Sequence, residues 1–284
     1  MAHARESHGM ARDQHRSART LETVARACDV IDALDALDGA GVTELARELG
    51  MAKSSAHAYL NTLREKRLVV QRGNQYHLSL EFLYLGKSVR HRHVLFEHGK
   101  SIVEELAEDS GEYVHLMAEQ HGLERNIYKV AGENAVGDTY HTAKERTTDF
   151  LHFTSTGKAV LAYLPESRVR EIADAHGLVQ KTESTITDLE TLIEELEGIR
   201  ERGYAVNDEE EVKGIRAVGA PVRNANGTVL GAISVSGPTS RFNGEYYHEE
   251  VPHMVKEAAN VTEASINMST ASQTLSSSPS RVDR

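Results

Sequence analysis

Short polar and basic side chains between residues 51 and 77 have the composition of a surface that contacts duplex DNA. This stretch holds five Lys or Arg residues against a single acid, Glu65, so its local balance is +4 in a chain whose net charge is −11. Lys and Arg neutralise backbone phosphates, while short polar side chains fit against base edges. The side chains expected to contact DNA are Lys53, Ser54, Ser55, His57, Asn61, Arg64 and Arg72. The alternative is a helical hairpin that packs against a partner protein.

The local pattern predicts how these side chains are positioned. Thr43 precedes a short helix and is expected to cap it, and Gly50 is expected to end it. A connection of three residues leads to a second helix, for which Ser54 or Ser55 is the expected cap. Ala56, Leu60 and Leu63 recur at helical spacing and predict its buried face.

Two short strands follow, at residues 68–71 and 75–78, with turn residues Arg72, Gly73 and Asn74 between them. Helix, turn, helix and hairpin in this order are typical of a winged helix-turn-helix. An Arg at the tip of such a wing commonly lies in or beside the minor groove.

Other residue patterns that could carry chemistry are weaker. Gly157-Lys158 resembles the end of a phosphate loop, but His152 and Ala159 stand where that motif needs Gly and Ser or Thr. The histidines at 115, 121, 141 and 152 match no zinc spacing, and the acidic run 209–211 is expected to be a solvated face. We therefore expect no catalytic residue, no metal and no cofactor.

The composition predicts two soluble domains in a reducing cytoplasm. The chain has 284 residues, 39% of them hydrophobic, and no apolar run long enough to span a membrane. Its N-terminus lacks the apolar segment of a secretory signal. The single cysteine, Cys28, excludes an internal disulfide framework and is expected to be a small core residue of the first helix, with Val24 in that helix's apolar stripe.

Charge is distributed unevenly between the two parts of the chain. Residues 1–80 carry 11 basic and 10 acidic residues, whereas residues 81–284 carry 21 and 33. The acidic part should therefore lie away from DNA or face itself across an interface.

Periodicity and turn residues predict α+β architecture for the second part. Strands are expected at 113–118, 126–130, 135–140, 204–206, 215–222 and 229–235, and helices at 95–108, 156–164, 166–175, 188–202 (capped by Thr187) and 244–266. A mainly antiparallel sheet follows from this order.

The expected division is a disordered tail at 1–19, a winged helix-turn-helix at 20–80, a linker helix at 81–94, an effector-binding domain at 95–268 and a disordered tail at 269–284.

From about Thr20 to Asn267 the chain resembles the IclR family of transcriptional regulators. The winged head alone would be unspecific, but several motifs of the second domain stand in the family's order and spacing. They are Leu151-His152, Gly157-Lys158-Ala159, Ile186-Thr187-Asp188, residues 199–222 and residues 233–241. The resemblance implies a GAF/PAS-like effector domain, a homodimer or dimer of dimers, and regulation by a small carbon metabolite.

The resemblance also implies an effector pocket. It assigns to that pocket Ser155, Gly157, Asn207, Ala217, Ser234 and Ser236. Members that bind small keto acids have Asp and Cys where this chain has Asn207 and Ala217, and many have Arg where its recognition helix has Ala58. The exchange adds room and removes a charge, so we expect an anionic or polyhydroxylated effector, such as a sugar acid or aromatic acid, with its carboxylate at 155–157.

Together these patterns predict a ligand-responsive repressor or activator that binds an operator and controls genes of carbon-source catabolism. The alternative is an enzyme that acts on a small anionic metabolite through the second domain, with an incidental DNA-binding head. A structural DNA-packaging protein is disfavoured, because the acidic body would be repelled by DNA.

Overall fold

The computed structural model describes residues 20–136 and 149–276. The chain divides into two compact units between Ser88 and Val89. In the first unit the helices and strands are α1 (Glu22–Ala36), α2 (Val42–Glu48), α3 (Lys53–Glu65), β1 (Val69–Arg72) and β2 (Gln75–Leu78), followed by α4 (Glu81–His91), which crosses into the second unit.

The first unit is a three-helix core with an antiparallel hairpin. Leu34, Leu45 and Leu60 are almost fully buried at its centre. Leu63 and Ala56 are buried as the periodicity predicts, and Gly50 adopts a left-handed φ of 59° after α2. Arg72 pairs with Gln75, so the turn of the hairpin consists of two residues, 73 and 74. The winged helix-turn-helix expected from the sequence is confirmed.

Several local expectations for the first unit are wrong. Thr43 does not cap α2 and neither Ser54 nor Ser55 caps α3, because both helices begin earlier, after Gly41 and Ala52, without a side-chain cap. Val24 is 56% exposed and Cys28 is exposed, so both lie outside the core. Helical periodicity reveals an apolar stripe but not whether neighbouring segments cover it.

The second unit contains α5 (Val94–Ser110), β3 (Tyr113–Gln120), β4 (Leu123–Ala131), β5 (Asp149–Phe150), α6 (Ser155–Leu161), α7 (Glu166–His176), α8 (Leu189–Arg202), β6 (Ala205–Asp208), β7 (Ile215–Arg223), β8 (Val229–Pro238) and α9 (Val251–Ser276). A 3-10 turn at Leu151–Phe153 precedes α6, and a π-helical turn at Tyr246–Glu250 precedes α9. The sheet has the order β5-β4-β3-β8-β7-β6, and every strand pair in the described residues is antiparallel.

Alternation along the central strands sends side chains to two cores. Val218, Val235 and Leu116 are fully buried in the core that packs with α5 and α9. A second core, containing Leu161 and Leu196, lies among α6, α7 and α8. Because the side-chain period of a strand is two residues, Ala217, Ser234 and Ser236 lie on the face opposite Val218 and Val235. The face covered by α6 thus carries polar side chains.

The second unit also corrects several expectations. Asp188, not Thr187, caps α8, because its carboxylate accepts the backbone N–H of Thr191 at 2.9 Å. Residues 269–276 extend α9 instead of belonging to a disordered tail. Strand β5 was not expected, and Ala135 and Val136 are not in a strand. The rest of the strand expected at 135–140, and the remainder of both tails, lie outside the described residues.

Candidate functional site

Helix α3 presents the polar surface expected to contact DNA. The side chains of Lys53, Ser54, Ser55 and His57 are exposed along it, and Asn61 is half-buried. Asn61 Nδ2 and His57 Nδ1 are 3.1 Å apart, so these side chains restrain each other one turn apart. In helix-turn-helix proteins, the N-terminal residues of the second helix contact base edges, and this end of α3 is open to solvent.

The hairpin is tied to α3 by Arg64. Its Nη1 donates to Gln71 Oε1 at 2.6 Å, and Gln71 Nε2 donates to the carbonyl of Gly73 at 3.0 Å. The guanidinium and the turn are thereby held together, while Arg72 ends β1 with an exposed side chain. Helix α3 and the wing are thus joined by side-chain hydrogen bonds, and both carry exposed basic residues.

A polar cavity lies on the sheet face below α6. Asn207, Ala217 and Ser236 are abreast on three neighbouring strands, because Asn207 pairs with Ala217 and Ala217 pairs with Ser236. Ser234 and Ser155 complete the part of the lining that the sequence predicted. The structure thus brings five of the six expected residues to one cavity, of about 20 Å³. This volume holds about one water molecule, so an organic ligand requires side chains to move.

Gly157 is the expected residue that the cavity does not include. Thr154 is the N-cap residue of α6, and the Gly157 N–H donates to Thr154 Oγ1 at 2.9 Å. A Cβ at Gly157 would lie 2.2 Å from the carbonyl oxygen of Leu151, so glycine is required there for packing. The amide expected to hold a carboxylate is therefore already satisfied within the protein.

Glu124 is a lining residue that the sequence did not reveal. It is 4% exposed and accepts hydrogen bonds from the hydroxyls of Thr154 and Thr156, the latter at 2.7 Å. His115 also lines the cavity, with Nε2 at 3.1 Å from Ser236 Oγ. Glu211 adds a second carboxylate, and no Lys or Arg lines the cavity within the described residues. Glutamate is usually exposed, so nothing in the neighbouring sequence indicates that Glu124 is buried.

A buried ion pair beside the cavity overturns the expectation that residues 209–211 form a solvated face. Lys158 Nζ of α6 contacts Glu210 Oε1, and the two side chains are 1% and 8% exposed. Burial raises the pKa of Glu210, against the attraction of Lys158, which lowers it. The Glu210 N–H donates to Asn207 Oδ1 at 2.9 Å, so the pair also anchors a residue of the cavity.

The histidines of the described residues belong to no cluster of potential metal ligands. His152 is buried with Nε2 at 3.0 Å from the carbonyl of Val179, and burial lowers its pKa. No group of three or more potential metal ligands occurs in the described residues. His141 lies outside them.

A basic recognition helix with a wing, together with an α+β domain that encloses a polar cavity, defines a class of ligand-sensing transcriptional regulators. Family models bear this out. Residues 23–73 match the IclR helix-turn-helix domain, and residues 87–263 match the bacterial transcriptional regulator IclR C-terminal domain. The chain belongs to the IclR family.

Individual relatives agree with this assignment. The chain is 35% identical to the probable HTH-type transcriptional regulator ArcR of Halobacterium salinarum, over 86% of this chain and 94% of that protein. It is 28% identical to the acetate operon repressor of Salmonella typhimurium, over 78% of this chain and 81% of that protein. The crystal structure of Thermotoga maritima IclR matches with a TM-score of 0.67 and 29% identity. The match covers 86% of this chain and 98% of that one.

The protein is therefore a DNA-binding transcriptional regulator with an effector-binding domain, and not an enzyme. Within the described residues, none of the helices has the length and apolar character needed to cross a membrane.

Proposed function

We propose that this regulator controls genes of carbon-source catabolism by binding a near-palindromic operator as a homodimer or dimer of dimers. The head comprises residues 20–80, the linker helix 81–94 and the effector domain 95–268. The observation that carries the DNA-binding role is the exposed basic surface of α3 and the wing, with a local balance of +4 in an acidic chain. A role in carbon metabolism is supported by the relative named acetate operon repressor.

Within this surface the residues take different roles. Ser55 and His57, which are exposed along the recognition helix, and the half-buried Asn61 next to His57 face the bases. Lys53, Arg64 and Arg72 provide attraction to phosphates or to the minor groove.

Replacing Arg72 with Ala should weaken binding to all DNA sequences and reduce the salt slope by about one unit. The reason is that one phosphate contact, with its released counterion, is lost without changing base recognition. Fluorescence anisotropy with an operator fragment and a scrambled duplex, over a series of salt concentrations, measures both quantities. Lys213→Ala is the matched control, since Lys213 is also exposed but lies in the effector domain. A changed sequence preference with an unchanged salt slope would contradict the assigned role.

Assembly is proposed from the surface of α4. None of its eleven residues is buried, even though several of them are large and apolar. Leu83 is 55% exposed, Tyr84 69% and Val89 70%. A group of large apolar side chains exposed on one helix marks an interface. A two-fold axis through such a helix pair presents two heads to two half-sites.

The effector is proposed to bind in the cavity lined by Ser155, Asn207, Ala217, Ser234 and Ser236. The Glu124 carboxylate beside Ser155, and the capped N–H of Gly157, disfavour a ligand carboxylate at 155–157. Hydroxyls and an amide on the lining favour the polyhydroxylated class of effector.

Replacing Ser236 with Ala should weaken effector affinity about tenfold and leave ligand-free operator binding unchanged. The hydroxyl is lost both to the ligand and to His115. A thermal-shift screen of polyols, sugar acids and aromatic acids identifies the probe, and operator release or capture is then titrated with it. Ser240→Ala is the matched control, because Ser240 is exposed outside the cavity. If Ser236→Ala responds to the effector like the wild type and like the control, the effector binds elsewhere.

A further inference from the structure

A second and larger cleft opens in the effector domain, away from the cavity described above. It has a volume of about 220 Å³ and lies where the C-terminal ends of α6 and α8 meet β7 and α9. Tyr163, Arg223, Lys256 and Asn260 provide its side-chain functional groups, and the other lining residues are small or apolar.

The charge of this cleft is opposite to that of its surroundings. Two cations and no carboxylate line it, whereas acidic residues outnumber basic ones by 33 to 21 between residues 81 and 284. One acid outside the lining, Glu263, accepts from Arg223 Nε at 3.2 Å and from the Arg223 N–H at 2.7 Å. A concentrated positive charge in an acidic domain attracts small anions.

Both cations keep their donor groups available. The Arg223 guanidinium lies over the ring of Tyr163, with 4.8 Å between its Cζ and the ring centroid. Because Glu263 takes only Nε of the side chain, the two terminal nitrogens are not used by any hydrogen bond among the described residues. Lys256 Nζ lies 5.7 Å from the ring centroid of Tyr204, and no ion pair of Lys256 occurs within residues 20–136 and 149–276. An aromatic ring beneath a guanidinium fixes its plane without neutralising it.

We propose that this cleft is a second ligand site, which takes a small organic anion with a carboxylate or phosphate group. The terminal nitrogens of Arg223 receive two oxygens of the anion, Lys256 adds a point charge, and the Asn260 amide donates a further hydrogen bond. The ring of Tyr163 contacts the carbon skeleton.

The two sites share structural elements. Ser155 and Thr156 at the start of α6 line the effector cavity, while Tyr163 follows the end of the same short helix. Along β7, Ala217 lines the cavity and Ala220 lines the cleft. The two sites are thus separate openings on the same helix and strand.

The test uses the full chain with two probes, inorganic phosphate and succinate, in calorimetric titrations at low salt. The wild type should bind at least one probe saturably, and the better probe distinguishes phosphate from carboxylate chemistry. Lys256→Gln should weaken this binding about tenfold, since a charged hydrogen bond is lost. Arg223→Gln should do the same, provided that its thermal unfolding matches the wild type, because Glu263 loses a partner.

Lys213→Gln removes one exposed charge elsewhere and should leave binding within about twofold of the wild type. Ser236→Ala should also leave probe binding intact, which separates this site from the proposed effector cavity. No saturable binding to the wild type, or equal binding by the wild type and Lys256→Gln, would overturn the proposal.

Discussion

Replacing Lys158 with Met is expected to lower the free energy of unfolding by about 3–5 kcal/mol near pH 8. The variant leaves the Glu210 carboxylate buried without its cation, and Glu210 Oε2 already accepts no hydrogen bond within the described residues. Denaturant unfolding followed by circular dichroism measures the loss.

The effect should depend on pH in a defined direction. Burial raises the pKa of Glu210 in the folded state. Its contribution to stability is therefore fully present below the unfolded value of about 4.3 and is lost as the pH rises toward the folded value. Removing Lys158 takes away the attraction that opposes this rise. Lys158→Met should thus be less destabilising near pH 5 than near pH 8.

Two further variants distinguish the buried pair from simple packing. Lys158→Met combined with Glu210→Gln should recover much of the lost stability, because no uncompensated charge remains. Lys213→Met breaks an exposed pair with Glu183 and should cost at most about 1 kcal/mol. A pH-independent loss that the double variant does not recover would show that the ion pair does not set the stability.

Placing Asp at Leu83 and Val89 together is expected to dissociate the proposed dimer and to lower operator affinity by about a hundredfold or more. Two linked heads bind two half-sites with an avidity that exceeds either single affinity by roughly 10²–10⁴. Two carboxylates on an apolar interface carry a desolvation penalty and repel their symmetry mates across the two-fold axis. Sedimentation and anisotropy with full and half operators measure the two effects.

Val179→Asp is the matched control, because Val179 is an exposed valine outside α4. It should leave both the assembly and the operator affinity unchanged. If the α4 variant remains a dimer, or if it becomes monomeric while keeping full affinity for the complete operator, this helix is not the interface that couples the heads.

The sequence by itself determined the features that depend on neighbouring residues. Ala56, Leu60 and Leu63 specify the buried face of α3, because helical periodicity places them on one side. Alternation along β8 likewise places Ser234 and Ser236 on one face. Resemblance to the family then assigned these serines to one pocket with Asn207 and Ala217, and the strand register places Asn207, Ala217 and Ser236 abreast.

Only the tertiary structure decided which distant charges are buried and which apolar stripes are covered. Lys158 and Glu210 are 52 residues apart, and Thr154 and Glu124 are 30 apart, so no local pattern links them. Val24 fits a helical stripe, yet no other segment of the described chain buries it. Burial is set by how separate segments pack together, whereas periodicity reports only the shape of one segment.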